Sequence, residues 1–425
     1  MADKDEAKAR EPGLAKAIGL GIITGAADDD PSAIGTYASA GAQFGTQILW
    51  MAPVALPMMF TVVYLSSKLG QVSGRGLFQV IRDFYPRWLL WAVLVGVMIG
   101  NTIEAAADLG GMAAALGIFI PLPIPLIVGV VATGLLALQV LGSYATIRSV
   151  FRWLALALLA YVAAALLARP SPGLVLIGTL VPSVRFDRDF LAIVVAIIGT
   201  SLSAYIYTWE SNQQVEEKIE EGKTRLSQRI GASKAELARS RRDVLIGMTF
   251  SNAVMYFIIM STGATLHAQG QTNIETAAQA AEALRPLAGA GASVLFTVGI
   301  IGVGFLAVPV MTAGAAYDLA QAFGWRASLH ARPGEAPRFY WAIAGLTAIA
   351  VMLNFLGFNP MRTLVWSGIV QGLSTPPLLL LIMLMTNSRK IMGDKVNTPW
   401  MNVLGWITTG AVFSASLGLV ATWLL

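Results

Sequence analysis

Apolar residues run along this chain in blocks of about twenty, the length a helix needs to cross the hydrocarbon core of a bilayer, with polar residues gathered between them. Eleven such blocks are predicted as membrane-spanning helices, near residues 13–41, 46–68, 88–117, 122–142, 150–169, 189–215, 243–266, 290–323, 339–357, 362–386 and 400–424. Composition agrees. Of the residues 56% are hydrophobic and 12% charged, roughly half the charge of an ordinary globular protein, so an all-α polytopic membrane protein is expected. With no cysteine, neither a disulfide framework nor a thiolate metal or redox centre is available.

Lysine and arginine orient the spans, because basic loops stay cytoplasmic. With the N-terminus inside, twenty-four basic residues fall in cytoplasmic segments, including Lys4, Lys8, Arg10 and Lys16, Arg148 and Arg152, and eight between 218 and 242. Only Arg169, Arg185, Arg188, Arg285 and Arg362 fall outside. The expected order is a cytoplasmic tail over 1–12, five helices over 13–169, an extracytoplasmic loop over 170–188, and five helices over 189–386 with a cytoplasmic loop at 216–242. A last loop and helix over 387–425 end outside. The start, "MADKDEAKAREPGLAK", lacks an apolar core and a cleavage site, so the first span is expected to direct insertion into a bacterial inner membrane. The net charge of +5 follows from this topology and gives no argument for nucleic-acid binding.

Two spans carry polar interruptions. "GAADDDPSAIG" places Asp28, Asp29 and Asp30 before Pro31 in the first. A charge at mid-bilayer costs at least about 2.5 kcal/mol, so these acids must face protein, water or a cation. Proline disfavours helix at the residue before it, which predicts two half-helices. The plainer alternative is that the aspartates sit in a watered vestibule and cap a half-helix. Five spans later, "IIGTSLSAYIYTWE" carries Gly199, Thr200, Ser201 and Ser203, followed by Glu210. Interrupted first and sixth spans are the pattern of an inverted repeat of five plus five, with a substrate site between the breaks. Ser233 and Glu236 are spaced as a capping box that starts a helix leading into the seventh span. "GRGLFQVIRDFYPRW" (74–88) reads as an amphipathic interfacial helix.

The stretch "DPSAIGTYASAGAQFGTQILW" resembles the first-helix region of the Nramp divalent-metal transporters, and "GRGLFQVIRDFYPR" and "TNSRKIMG" resemble two further segments of that family. The resemblance is closest to the family's magnesium-transporting branch. It implies the LeuT-like fold with eleven helices, of which the first and sixth are broken, and a metal site between those two. Carried over, the family's aspartate is Asp30, with Asp29 beside it; its asparagine is Ala33, its methionine Ser203 and its carbonyl position Thr200. The soft thioether is therefore missing, and carboxylate, carbonyl, hydroxyl and water suit Mg²⁺, Ca²⁺ and Mn²⁺. Positions of the family's sixth-helix histidines hold Tyr205 and Glu210, and Gly111 replaces a third-helix glutamate. His267 and His330 both lie near span ends.

Asn101, Glu104 and Asp108 share a helical face, a hydration or proton route or else internal packing; Asp28, Tyr205, Glu210 and Gln371 are further candidates for that route. The expected function is uptake of Mg²⁺ or Mn²⁺ by alternating access, with weak or no proton coupling, and with no cofactor, no nucleic acid and no obligatory protein partner. A proton-coupled Mn²⁺ or Fe²⁺ symporter is the alternative within the class. A LeuT-fold carrier of a small organic solute would have to bring an anion against three acids. An intramembrane aspartyl protease could use Asp318 but has no Gly-x-Gly-Asp partner.

Overall fold

The structure, a computed structural model, describes residues 20–141, 158–329 and 331–424, which form helices and connections and no strand. The expected tail over 1–12, Lys16, Arg148, Arg152, His330 and parts of the first and fifth predicted spans lie outside the described residues. Helices of eight residues or more are α1 (Leu20–Asp28), α2 (Pro31–Phe44), α3 (Met51–Ser73), α4 (Leu77–Phe84), α5 (Arg87–Leu116), α6 (Ile124–Leu141), α7 (Leu159–Leu167) and α8 (Pro172–Leu180). They continue as α9 (Arg188–Ser201), α10 (Ala204–Glu220), α11 (Lys234–Thr265), α12 (Ala292–Phe323), α13 (Pro337–Asn354), α14 (Pro360–Ser374), α15 (Pro376–Asn387) and α16 (Pro399–Leu424).

Both expected interruptions are present. Asp30 has extended backbone, φ −66° and ψ 173°, and Pro31 opens α2 at its first position, where its missing N–H costs nothing. Between α9 and α10, Leu202 leaves helical geometry and Ser203 is extended, φ −60° and ψ 136°, without proline or glycine at the break. A further bend of 43° separates α14 from α15 at Pro376.

Among the described residues, six stretches are long and apolar enough to cross a membrane, or seven if α14 and α15 are one span. This measure does not reproduce eleven. The first block is divided into α1 and α2, neither long enough alone; the described part of the fifth is the short α7; α13 begins on Pro337 and Arg338, which lower its hydropathy. The 170–188 segment holds α8, so it is not wholly loop. The polar stretch at 216–242 is also largely helical: α10 runs to Glu220, and the Ser233–Glu236 capping box is formed and starts α11. The amphipathic segment forms α4, with Leu77, Phe78, Val80 and Ile81 buried.

Close backbone approaches fix the interior. A Cβ added at Gly25 would fall inside contact distance of the Gly247 carbonyl, so α1 lies directly against α11. Gly199 meets the Gly368 carbonyl in the same way, seating α9 on α14. α5 packs against α12 and α14, completing the wall around the two breaks.

Candidate metal centre

Asp28, Asp29 and Asp30 are all fully buried, so the watered vestibule is not what surrounds them. The non-helical backbone at the break sends them to different partners. Asp30 does cap α2: its Oδ1 accepts the Ala33 N–H at 2.7 Å. Its Oδ2 lies 3.0 Å from the Tyr205 hydroxyl, which also lies 2.7 Å from the Ala27 carbonyl. One phenolic hydrogen serves one of these acceptors at a time. Asp28 Oδ2 and Asp29 Oδ1 instead share the Ser251 hydroxyl of α11, at 2.7 and 3.2 Å. Ala33 contributes an N–H to Asp30 and a methyl group, so its side chain has nothing with which to bind a cation.

The α5 face forms as its spacing predicts. Asp108 Oδ1 accepts both the backbone N–H and the hydroxyl of Ser32, at 2.9 and 2.6 Å, which ties α5 to the start of α2. Glu104 Oε1 accepts the Ser203 hydroxyl at 3.0 Å, and Oε2 accepts the Gln371 amide. Gln371 also reaches Asn101 Oδ1 at 3.0 Å. The Ser203 hydroxyl also lies within reach of the carbonyls of Gly199 (2.8 Å) and Thr200 (3.3 Å), the acceptors freed at the α9–α10 break. The Thr200 hydroxyl turns back onto its own helix, to Ala196 and Ile197. Only the Thr200 carbonyl is therefore directed to the break. Glu210 accepts from Thr24 at 2.8 Å and Gln214 at 3.0 Å, joining α1 to α10 below the site.

The departures from the family pattern have packing reasons. A Cβ at Gly111 would meet the Leu364 side chain at about 3.0 Å, so the seat of α5 on α14 favours glycine there. A Cβ at Gly368 would meet Ala196 and Thr200 at about 2.9 Å, and Gln371, nearly one turn on, presents its amide to Glu104. His267 is remote from the acids by its bonding: Nδ1 lies 2.8 Å from the Ala42 carbonyl.

Electrostatics is the dominant feature. Asp28, Asp29, Asp30, Glu104 and Asp108 are fully buried, and none joins an ion pair among the described residues. The buried lysines are spent elsewhere: Lys68 on Val396 O and Asn397, Lys218 on the carbonyls of Gln71, Arg229 and Gly231. Asp28 Oδ1, Asp29 Oδ2 and Asp108 Oδ2 accept no protein hydrogen bond. An ionised carboxylate costs several kcal/mol to bury, and the protein's own cations do not offset it here. No three acidic or imidazole side chains among the described residues converge on one point. A cation would thus find one or two carboxylates, hydroxyls, carbonyls and its own water.

Sequence reading missed Ser251, Thr24, Ser367 and Tyr37. Ser367 lies 3.0 Å from the Ser32 hydroxyl and Tyr37 2.9 Å from Ser201. Each is a single hydroxyl residue on an apolar span, a pattern shared with ordinary helix packing.

Residues 21–422 match the family described as natural resistance-associated macrophage protein-like, or Nramp. The chain belongs to the Nramp family. It is 28% identical over 405 residues to a divalent metal cation transporter MntH of Klebsiella pneumoniae, covering 93% of this chain and 91% of that one. In fold this Nramp chain is similar to the Eremococcus coleocola manganese transporter, with a TM-score of 0.73 at 19% identity, covering 96% of this chain and 86% of that one. Mhp1, a nucleobase-cation-symport-1 family transporter, shares the fold more distantly, with a TM-score of 0.56 at 15% identity over 95% and 93% of the two chains. The Nramp chain is an integral membrane protein with the LeuT-type arrangement, and its named relatives are transporters.

Proposed function

We propose that this Nramp chain carries Mg²⁺ or Mn²⁺ across the membrane by alternating access, with the ion held between the α1–α2 and α9–α10 breaks. Five buried carboxylates without a protein cation carry this reading. Asp30 is the principal ligand. The Thr200 carbonyl, the Ser203 hydroxyl and Glu104, which meet at the α9–α10 break, complete the set on this reading, and Asp108 steadies the start of α2 through Ser32. Each of these donors is a hard oxygen, and the Met255 thioether nearby is turned to the Ser201 hydroxyl at 3.7 Å. Magnesium sheds water reluctantly and binds through one or two carboxylates while keeping several waters, which suits acids that do not converge.

Alternating access needs the two half-helix pairs to move relative to α5 and α14. The bonds that would break are those from Ser203 to Glu104, from Ser32 to Asp108 and from Ser367 to Ser32. Potential alone suffices to drive uptake, since a dication crossing 100 mV gains about 4.6 kcal/mol. With Tyr205 and Glu210 in place of histidines and Gly111 in place of an acid, proton coupling is weak or absent. The N-terminus is cytoplasmic and the C-terminus extracytoplasmic on the same reading.

Liposomes containing the purified protein and a divalent-sensitive dye test this. Uptake of Mn²⁺ that is competed by Mg²⁺ is the expected result; no divalent flux, or flux of an organic solute instead, would refute it.

A further inference from the structure

The C-terminal end of α2 lies beside the start of α14 under residues 273–275, and these three segments border a cavity of about 220 Å³. Ser39 and Gln43 line it from α2, Arg362 from α14, and Asn273 and Glu275 from above. Across its mouth Arg362 Nη2 lies 2.9 Å from Glu275 Oε1, and Asn359, which caps α14, donates to the Glu275 carbonyl at 3.0 Å. Both charged side chains are more than half exposed, so the pair is weakly held and open to competition. The Ser39 hydroxyl and the side-chain amides of Gln43 and Asn273 make no hydrogen bond among the described residues.

A polar stripe on α2 joins this cavity to the metal centre. Ser32, Thr36, Ser39 and Gln43 recur at spacings of four, three and four, and so share one face. Ser32 and Thr36 are fully buried, Ser39 nearly so, and Gln43 is partly exposed. Buried threonines that only pack, such as Thr262, Thr347 and Thr409, turn the hydroxyl onto the carbonyl four residues back, at 2.8 to 2.9 Å. The Thr36 hydroxyl has no partner among the described residues. Beside it the seam is shut: a Cβ at Gly35 would meet the Leu364 side chain at 2.8 Å, and the Ser32 and Ser367 hydroxyls lie 3.0 Å apart.

We propose that this cavity is a second binding site for the transported cation, which it takes with its water before the ion reaches Asp30, and that the Glu275–Arg362 pair is the latch over it. This rests on the transport reading above and on its topology, which puts this end of α2 outside. Glu275 supplies one carboxylate, and Ser39, Gln43 and Asn273 supply neutral oxygens that suit a hard ion still carrying its water. Room is sufficient, since the six waters of an octahedral shell fill about 180 Å³ at about 30 Å³ each. A cation that draws Glu275 from Arg362 loosens residues 273–275 from α14. Parting of Ser32 from Ser367 then opens the stripe to Asp30, with the Thr36 hydroxyl replacing a water on the way.

A carboxylate at the mouth raises the local cation concentration, so in proteoliposomes Glu275→Gln should raise the KM for external Mn²⁺ by about five-fold or more. The maximal rate, and the affinity of the Asp30 site by calorimetry, should stay within about two-fold. Thr36→Val should slow uptake by about three-fold or more and yet raise thermal stability, because it removes an unpaired buried hydroxyl; a packing role alone would leave uptake unchanged. The cysteine-free chain permits a further check. With Glu275→Cys and Arg362→Cys together, a bifunctional methanethiosulfonate should stop uptake and a reductant should restore it. An unchanged KM in Glu275→Gln, full uptake by the bridged protein, or uptake at the unmodified rate in Thr36→Val would overturn the proposal and leave the transport reading standing. Absence of Mn²⁺ binding and uptake in the unmodified protein would instead refute the transport reading itself.

Discussion

The Tyr205 hydroxyl stands 3.0 Å from Asp30 Oδ2 and 2.7 Å from the Ala27 carbonyl, so a single phenol on the sixth span reaches acceptors on both sides of the break in the first and donates to one of them at a time. A hydrogen bond to a charged group contributes about 1.5 to 3 kcal/mol, and a cation taking Asp30 must displace or share it. Tyr205→Phe should therefore tighten Mn²⁺ binding by up to about ten-fold while slowing turnover, because the link between the two breaks is lost. Calorimetry beside uptake measures both. Weaker binding in Tyr205→Phe would mean that the phenol itself is a ligand.

Selectivity follows from the donors at the second break. Ser203→Met removes the hydroxyl that Glu104 Oε1 accepts and supplies a thioether. Combined with Ala33→Asn, it should move preference toward Cd²⁺ by about ten-fold or more, read as competition against Mn²⁺ uptake. Strong Cd²⁺ preference with indifference to Mg²⁺ in the unmodified chain would contradict the hard-oxygen site.

Much of this architecture is legible in the sequence, and for identifiable reasons. Pro31 after three aspartates marks the first break because proline acts locally, on the residue before it. Gly199 to Ser203 mark the second more faintly, and there the structure breaks at Leu202 and Ser203 without proline or glycine. The Ser233–Glu236 box forms because capping is also local. What the sequence does not reveal is direction. Asp28 and Asp29 look equivalent to Asp30, but turn to Ser251, a residue 222 positions from Asp29 with no local signal. The seat of α9 on α14 likewise depends on two glycines, Gly199 and Gly368, whose approach is set by the tertiary fold.

That seat yields a stability prediction. Gly199→Val forces atoms into the Gly368 carbonyl, and overpacking of this kind costs about 1 to 3 kcal/mol. Thermal unfolding in detergent should show a clear loss for Gly199→Val and little change at Gly96, where an added Cβ meets nothing. Equal tolerance at both positions would contradict the close approach of α9 and α14.

Energetics separates this chain from a proton-coupled symporter. Divalent influx should follow an imposed inside-negative potential and leave a trapped pH dye unchanged. Metal-dependent acidification that disappears in Asp108→Asn, with binding retained, would establish proton coupling through α5.

The most direct measurement compares Asp30→Ser with the unmodified protein in the same liposomes. Serine keeps an N-cap for α2, so the fold is retained, while the carboxylate is removed. Mn²⁺ uptake by the unmodified protein should be competed by millimolar Mg²⁺, and Asp30→Ser should retain its thermal stability but show no uptake and no Mn²⁺ binding by calorimetry. Uptake at the unmodified rate in a well-folded Asp30→Ser protein would place the transported ion somewhere other than the break in the first span.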